Sequence, residues 1–472
     1  MGNTTTASVT GAQVAPAKSA IKDLPIAKVW AFAVGQFGWA LLSGIISNWL
    51  VYFYQPDQET ISQGQTVFVP QGLVVLGIVT VVGGITAFAR FFDAFVDPVV
   101  ASLSDRCDAK SGRRMPFLKF AALPLAVVTV LVFWSPINGT SWVNAAFLFV
   151  TVIGYYIALT FYCTPYNALI AELGHDSKQQ LTISTAISFT WVAGTAIAYV
   201  APVIWGAFVP MMGRITAIRV TFTIMAAVAF VCMLVPPLAI REKDYVNSQP
   251  TSESTIESLK QTFGDGEFRK FVCSDVVYWV AITTFQTGLP FFVTSLLKLP
   301  ETTTTIYFVL MTGVSVLFYL PVNILANKVG KKRLLLVAFV IFTCAFAFAG
   351  ALGSAVLGFI PAMAQGLVLS VVGAIPMAAF GILPQAIVAN IADASSKTTG
   401  QDRQGMFYAA RTFAMKMGQS VAMLLFTGVS TIGMASGAGY RIAAVCAAVL
   451  CGLGGIVFAF YNEKKVLGVL ET

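Results

Sequence analysis

Twelve stretches of almost unbroken apolar sequence, each about 20 residues or longer, leave this chain few ways to fold. They run over about 28–54, 72–104, 116–136, 142–171, 183–210, 217–239, 269–297, 303–328, 333–353, 355–393, 406–432 and 438–461. In lipid, only a helix or a closed barrel satisfies its own backbone polar groups. A barrel strand would alternate apolar with polar residues, whereas these runs are continuous. Charged residues make up 11% of the chain, against about 25% in a soluble domain. The expectation is an all-α membrane protein with 12 transmembrane helices.

The basic residues orient those helices. With the N-terminus in the cytoplasm, 22 of the 29 Lys and Arg fall on cytoplasmic segments and four (Arg214, Arg219, Lys298, Arg441) on outer ones. The positive-inside rule then places both termini in the cytoplasm. The net charge of +8 reports topology and implies no nucleic-acid partner. The seven cysteines sit in spans or on the cytoplasmic side, so no disulfide is expected. The first residues are small and polar with no apolar core, so residues 1–25 read as a disordered cytoplasmic tail rather than a signal peptide.

The most polar long interruption, REKDYVNSQPTSESTIESLKQTFGDGE, follows the sixth run. It divides the chain into an N-terminal six-helix bundle (26–240), a cytoplasmic linker (241–267) and a C-terminal six-helix bundle (268–472). Within the linker, TIESLKQTF has the spacing of a short amphipathic helix.

Inside the second run lie Arg90, Asp93 and Asp97, at spacings of three and four that share one helix face. Ionisable groups at that depth are costly and line bundle interiors or solute pathways. Two carboxylates suit a monovalent cation such as sodium. They equally suit a proton, because like charges one turn apart raise each other's affinity for it.

The loop after the second run, ASLSDRCDAKSGRRMPF, is echoed after the eighth by LANKVGKKRLLL, each with a glycine (Gly112, Gly330) and a basic cluster. The pair is similar to the signature loop of the major facilitator superfamily, one copy per half. Three further stretches sharpen the resemblance: ARFFDAFVDPVVASLSDRCDAKSGRRMPF (89–117), LTFYCTPYNALIAEL (159–173) and the segment 383–422 that carries Lys416. Within that superfamily the chain resembles the glycoside–pentoside–hexuronide:cation symporters, typified by the melibiose permease.

The resemblance implies the facilitator fold, with two six-helix bundles. It implies cation-binding roles for Asp93, Asp97 and Thr160, and a coupling network of these with Arg90 and Lys416. It also implies cation-driven symport, by sodium or proton, of a small organic solute such as a glycoside or other carbohydrate, in a bacterial inner membrane. The chain departs from the melibiose permease where that protein binds sugar. Ala40 replaces an acidic residue on helix one, Cys163 replaces another on helix four, and the helix-five arginine has no counterpart in TISTAISFTWVAG. Melibiose is therefore not carried over as substrate.

Arg90 and Lys416 balance Asp93 and Asp97, so the empty network carries no net charge. A bound cation makes it positive and frees Lys416 from its partners. The competing reading is a charge-balanced brace between helices with no transported ion. Candidate solute contacts are Gln36, Trp39, Tyr162, Cys163, Tyr166, Asn167 and Arg411, since aromatic faces stack on sugar rings and polar tips bond hydroxyls. Asn48, Tyr156, Tyr278, Gln286, Asn323 and Tyr408 form a second rank. Asp105, Arg106, Arg113 and Arg114 are expected to lock a cytoplasmic gate. Pro98, Pro165 and Pro384 read as kinks, Gly83–Gly84 as a close-packing site, and His175 as a solvated loop residue. With one histidine, no nucleotide loop and no metal-ligand cluster, nothing points to an enzyme or a cofactor. The expected partners are a small-molecule substrate and membrane lipids, and the expected state is a monomer. The alternatives are a carrier of lysolipid or another amphipathic solute, and a non-transporting member of the fold.

Overall fold

Each apolar run becomes a long helix in the computed structural model, which describes residues 23–75, 77, 79–107, 109, 112–174, 177–246, 262–399, 404–433 and 436–471. In order these are α1 (Ile26–Tyr54), a short α2 (Gln58–Ser62), α3 (Val81–Asp105), α4 (Met115–Val132), α5 (Trp142–Leu173), α6 (Ser177–Met212) and α7 (Arg214–Ala239). The second half comprises α8 (Gly266–Phe291), α9 (Thr302–Val329), α10 (Lys331–Ala351), α11 (Ala362–Thr399), α12 (Gln404–Val429), α13 (Ala438–Ala459) and a short α14 (Glu463–Glu471). Among the described residues, ten helices are long and apolar enough to cross a bilayer. The other two long ones, α3 and α12, carry the charges of the site described below.

Local chemistry sets the helix ends. Thr80, Ser141 and Asp265 each accept a hydrogen bond from a first-turn amide of α3, α5 and α8. The run expected from 72 does not become helical until Val81, although 73–76 is as apolar as the helix it precedes. Gly72 (φ 82°) and Gly77 (φ 70°) hold left-handed conformations there, and Val75 pairs with Val79 in an isolated bridge. Likewise α11 starts at Ala362 rather than 355 and continues to Thr399, while α6 starts at Ser177 rather than 183. The tail 1–22, most of TIESLKQTF and His175 lie outside the described residues.

In the first half α1 packs on α6 and α7, α3 on α5, and α4 on both α5 and α7. In the second, α8 packs on α12 and α13, α9 on α11, and α10 on α11 and α13. The halves are joined by α3 with α12, α6 with α9, and α1 with α8, among other pairs. Helices alternate in direction, so Ile26, Asp105, Gly266 and Ala459 share one face, here the terminal face. Tyr54, Val81, Leu296 and Val429 share the far face.

The halves meet closely at the far face. Gln55 Nε2 donates to Thr427 O and Ser430 Oγ, both at 2.9 Å, and Thr305 Oγ1 donates to Tyr199 O at 2.5 Å. Gly83 lies so close to Thr427 that a Cβ would collide with it, whereas Gly84 has only ordinary contact with Val79. At the terminal face the segments of α5, α6 and α12 leave Asn167, Ser184, Ser188, Tyr408 and Thr412 exposed.

Candidate functional site

Asp93 lies at the midpoint of α3 and Lys416 at the midpoint of α12, and these helices pack across the boundary between halves. Lys416 Nζ sits 2.8 Å from Asp93 Oδ2 and 2.5 Å from Asp97 Oδ2, bridging both carboxylates. Each remaining carboxylate oxygen accepts from a hydroxyl on α5. Thr160 Oγ1 donates to Asp93 Oδ1 at 2.6 Å, and Thr164 Oγ1 to Asp97 Oδ1 at 3.1 Å. Side-chain exposure is 1% for Asp93, 25% for Asp97 and 11% for Lys416, so only Asp97 opens substantially toward solvent. The result is two carboxylate–hydroxyl pairs one turn apart, with an ammonium clamped between them.

Arg90 stands apart from this clamp. Its Nη2 donates to Ser47 Oγ at a long 3.4 Å, and its guanidinium lies 4.9 Å from the centre of the Tyr156 ring. The ion pairs of Asp93 and Asp97 are both with Lys416. The clamp itself therefore holds two negative charges and one positive, and Arg90 acts on it only at a distance.

The candidate solute contacts divide. Tyr162 and Tyr166 are fully buried and stacked on each other, and their hydroxyls donate to Met233 O (2.9 Å) and Phe32 O (2.7 Å). Their polar tips are spent on helix packing. Arg411 is likewise taken: Nε and Nη2 donate to Asp275 Oδ2 and Oδ1 at 2.9 and 3.1 Å, a buried bidentate pair between α12 and α8. Gln36 Oε1 and Trp39 Nε1, one turn apart on α1, are buried without a hydrogen-bond partner. The Trp39 ring meets Trp191 of α6 edge-on, with centroids 5.0 Å apart. Cys163 is half-buried and Asn167 exposed, on the same stretch of α5 as the two threonines.

At the terminal face, Arg113 and Arg114 both reach Glu172, at 2.9 and 2.7 Å, and Arg114 also holds Asp105 at 2.8 Å. Burial alone would lower the Arg114 pKa, but the hydrogen bond and charge of Glu172, then those of Asp105, outweigh it and raise the value. These pairs lie within the first half. Arg106 is exposed at the end of α3.

Three participants escape a reading of the sequence alone: Thr164, Glu172 and Asp275. Thr164 had a signal, since Thr160 and Thr164 repeat on α5 the one-turn spacing of Asp93 and Asp97 on α3. Asp275, an acid inside an apolar run, also had one.

Residues 31–462 match the family described as MFS/sugar transport protein. The symporter YjmB of Bacillus subtilis is 23% identical over 359 residues, 74% of this chain and 75% of that protein. The isoprimeverose transporter of Lactiplantibacillus pentosus is 24% identical over 37% of this chain and 33% of its own length. Two further curated symporters are spanned over only 36% and 47% of their lengths. Among solved structures, a bacterial homologue of the human drug peptide transporters PepT1 and PepT2 superposes with a TM-score of 0.66 at 10% identity, over 95% of this chain and 99% of that one. That likeness shows the fold alone. The chain is an integral, multi-pass membrane protein of the major facilitator superfamily, and it belongs to the glycoside–pentoside–hexuronide symporter family within it.

Proposed function

We propose that this protein is a cation-coupled symporter that moves a small, largely uncharged glycoside or related carbohydrate by alternating access. The observation that carries the reading is the bridging of Asp93 and Asp97 by Lys416, because it places the only ammonium of the clamp on the opposite half from both carboxylates. A cation that takes the carboxylates must displace or weaken that ammonium. Ion binding then loosens α3 from α12 and biases which face opens. The two hydroxyls favour a partly dehydrated monovalent ion such as sodium, since Thr160 and Thr164 add neutral oxygens to the carboxylates of Asp93 and Asp97, one pair on each of two successive turns. A proton needs only one of them.

The solute class rests on the relatives and on the side chains of α1. Relatives include an isoprimeverose transporter and a glycoside/cation symporter. The unpartnered Gln36 Oε1 and Trp39 Nε1 beside Trp191 offer an acceptor, a donor and aromatic faces to a hydroxylated ring. The domains 26–240 and 268–472 act as the two rocking halves. The terminal face, rich in Lys and Arg, is the cytoplasmic one in a bacterial inner membrane. One feature favours an amphipathic solute instead: an apolar groove of about 440 Å³ between α4 and α5, lined by Pro116, Phe117, Phe120 and Phe161 among others.

Uptake into proteoliposomes, with a panel of glycosides and lysolipids under imposed sodium or pH gradients, tests the reading. Asp93→Asn is expected to abolish gradient-driven accumulation while retaining solute binding. Accumulation by that variant equal to the parent would sink the coupling claim, and lysolipid uptake without glycoside uptake would move the solute to the second reading.

A further inference from the structure

Glu301, in the far-face turn before α9, is 9% exposed and accepts four hydrogen bonds from three helices of the other half. Arg214 at the start of α7 donates Nη1 to Oε1 (3.0 Å) and Nη2 to Oε2 (2.6 Å). Trp205 Nε1 of α6 donates to Oε1 at 2.5 Å, and Tyr52 Oη of α1 to Oε2 at 3.0 Å. Arg214 is steadied in turn by Gln65 Oε1, 3.2 Å from its Nε. Five residues beyond Tyr52, the buried Asp57 accepts from Thr294 (2.7 Å) and from Ser295 on the π-helical turn Phe292–Leu296 that ends α8.

We propose that Glu301, clamped by Arg214, Trp205 and Tyr52, is the latch that holds the far face shut, with Asp57 on the π turn as its second catch. A carboxylate with four donors is fully satisfied only while the halves touch. Swinging them apart strips the donors from Glu301 in one step, and water must replace them. This cluster joins α1, α6 and α7 to the turn before α9, across the boundary that must part for the solute to enter from that side. The π turn is a rare element that is frequent at functional sites, and it sits at the end of α8 that the latch engages. The inference rests on the two halves moving and is independent of which ion or solute moves with them.

The test is a distance measurement between spin labels on the full-length protein, with the seven native cysteines replaced and new ones at Asn138→Cys and Phe359→Cys. Both positions are exposed in far-face loops, one on each half. Glu301→Gln is expected to raise the ratio of long to short distances by about tenfold, because it loses the charge that Arg214 is buried against. The reversed pair Arg214→Glu with Glu301→Arg is expected to return it toward the parent value. Tyr52→Phe removes a single donor and is expected to give a smaller shift of the same sign, which keeps the test usable if Glu301→Gln folds poorly. Parent-like distances in both Glu301→Gln and Tyr52→Phe would overturn the latch.

Discussion

Lys416 holds two carboxylates with one charge, and each carboxylate has a private hydroxyl on α5. Removing the amine leaves a buried negative pair, so Lys416→Ala is expected to hold its cation more tightly yet fail to couple it. Ion-to-solute stoichiometry measured from parallel fluxes checks this; a parent-like ratio would show that Lys416 only packs. A hydrogen bond to a charged group is worth about 1.5–3 kcal/mol. On that scale Thr164→Val is expected to raise the ion concentration for half-maximal uptake by roughly tenfold or more, with uptake at saturating ion little changed. An unaltered ion dependence would exclude Thr164 as a ligand. Arg411 gives the contrasting case. It was readable as a cation near the solute path, but its partner Asp275 lies 136 residues away in sequence, and nothing in local spacing pairs them. Breaking a buried pair leaves an unpaired charge that costs about 3–5 kcal/mol. Arg411→Gln should therefore lower the melting temperature markedly, and Asp275→Asn in the same chain should restore much of it. A normal melting temperature with a raised solute KM would instead return Arg411 to the binding site.

At the level of elements, the two signature loops share a device that their sequences only half disclose. Gly112 (φ 121°) and Gly330 (φ 96°) each turn the chain just before a helix, and a side chain at Gly112 would strike Glu242. Glu242, just past α7, accepts from the amides of Arg113, Arg114 and Met115 at 2.9, 2.8 and 2.9 Å. Glu463, just past α13, accepts from Lys331 and Lys332 at 2.9 and 3.2 Å. The sixth crossing of each half thus ends by capping the third, where the helix dipole and free amides favour an anion. The neighbouring residues extend the parallel: Lys28 of α1 donates to Tyr245 at 3.0 Å, and the Asn462 amide donates to Glu267 of α8 at 2.9 Å. Glycine and basic cluster were legible in both loops. The caps were not, because each carboxylate arrives from about 130 residues downstream. Glu242→Gln loses the charge but keeps an acceptor, whereas Glu242→Ala strands three amides. The alanine variant is expected to lose about 1–3 kcal/mol and the glutamine variant less, read by thermal unfolding in detergent. Equal stability of Glu242→Ala and parent would mean that water caps α4 as well as the carboxylate does.

Across the whole molecule, twelve crossings were readable because each helix must satisfy its own backbone in lipid, and this holds even for α3 and α12, whose charges dilute their apolar character. Where a helix begins was less readable: residues 72–80 are apolar but carry two left-handed glycines, a conformational matter that hydropathy does not record. How the halves meet was least readable, since α3 and α12 are joined by residues 319 apart in sequence. That junction is where the proposed coupling resides, and it imposes a symmetric requirement. If a cation at Asp93 and Asp97 loosens Lys416 and thereby favours the solute-binding state, it tightens solute binding by some factor. The solute must then tighten cation binding by the same factor, since both travel around one thermodynamic cycle. Typical couplings are about 1–3 kcal/mol, or roughly 5–150-fold. Calorimetry on purified protein, titrating solute with and without saturating ion and then the reverse, is expected to return two equal factors in that range. In Lys416→Ala both should fall together toward one, because the ion then has no ammonium to displace. A solute affinity that depends on the ion just as strongly without Lys416 would place the coupling away from the α3–α12 junction, and leave the clamp as a charge brace between two helices.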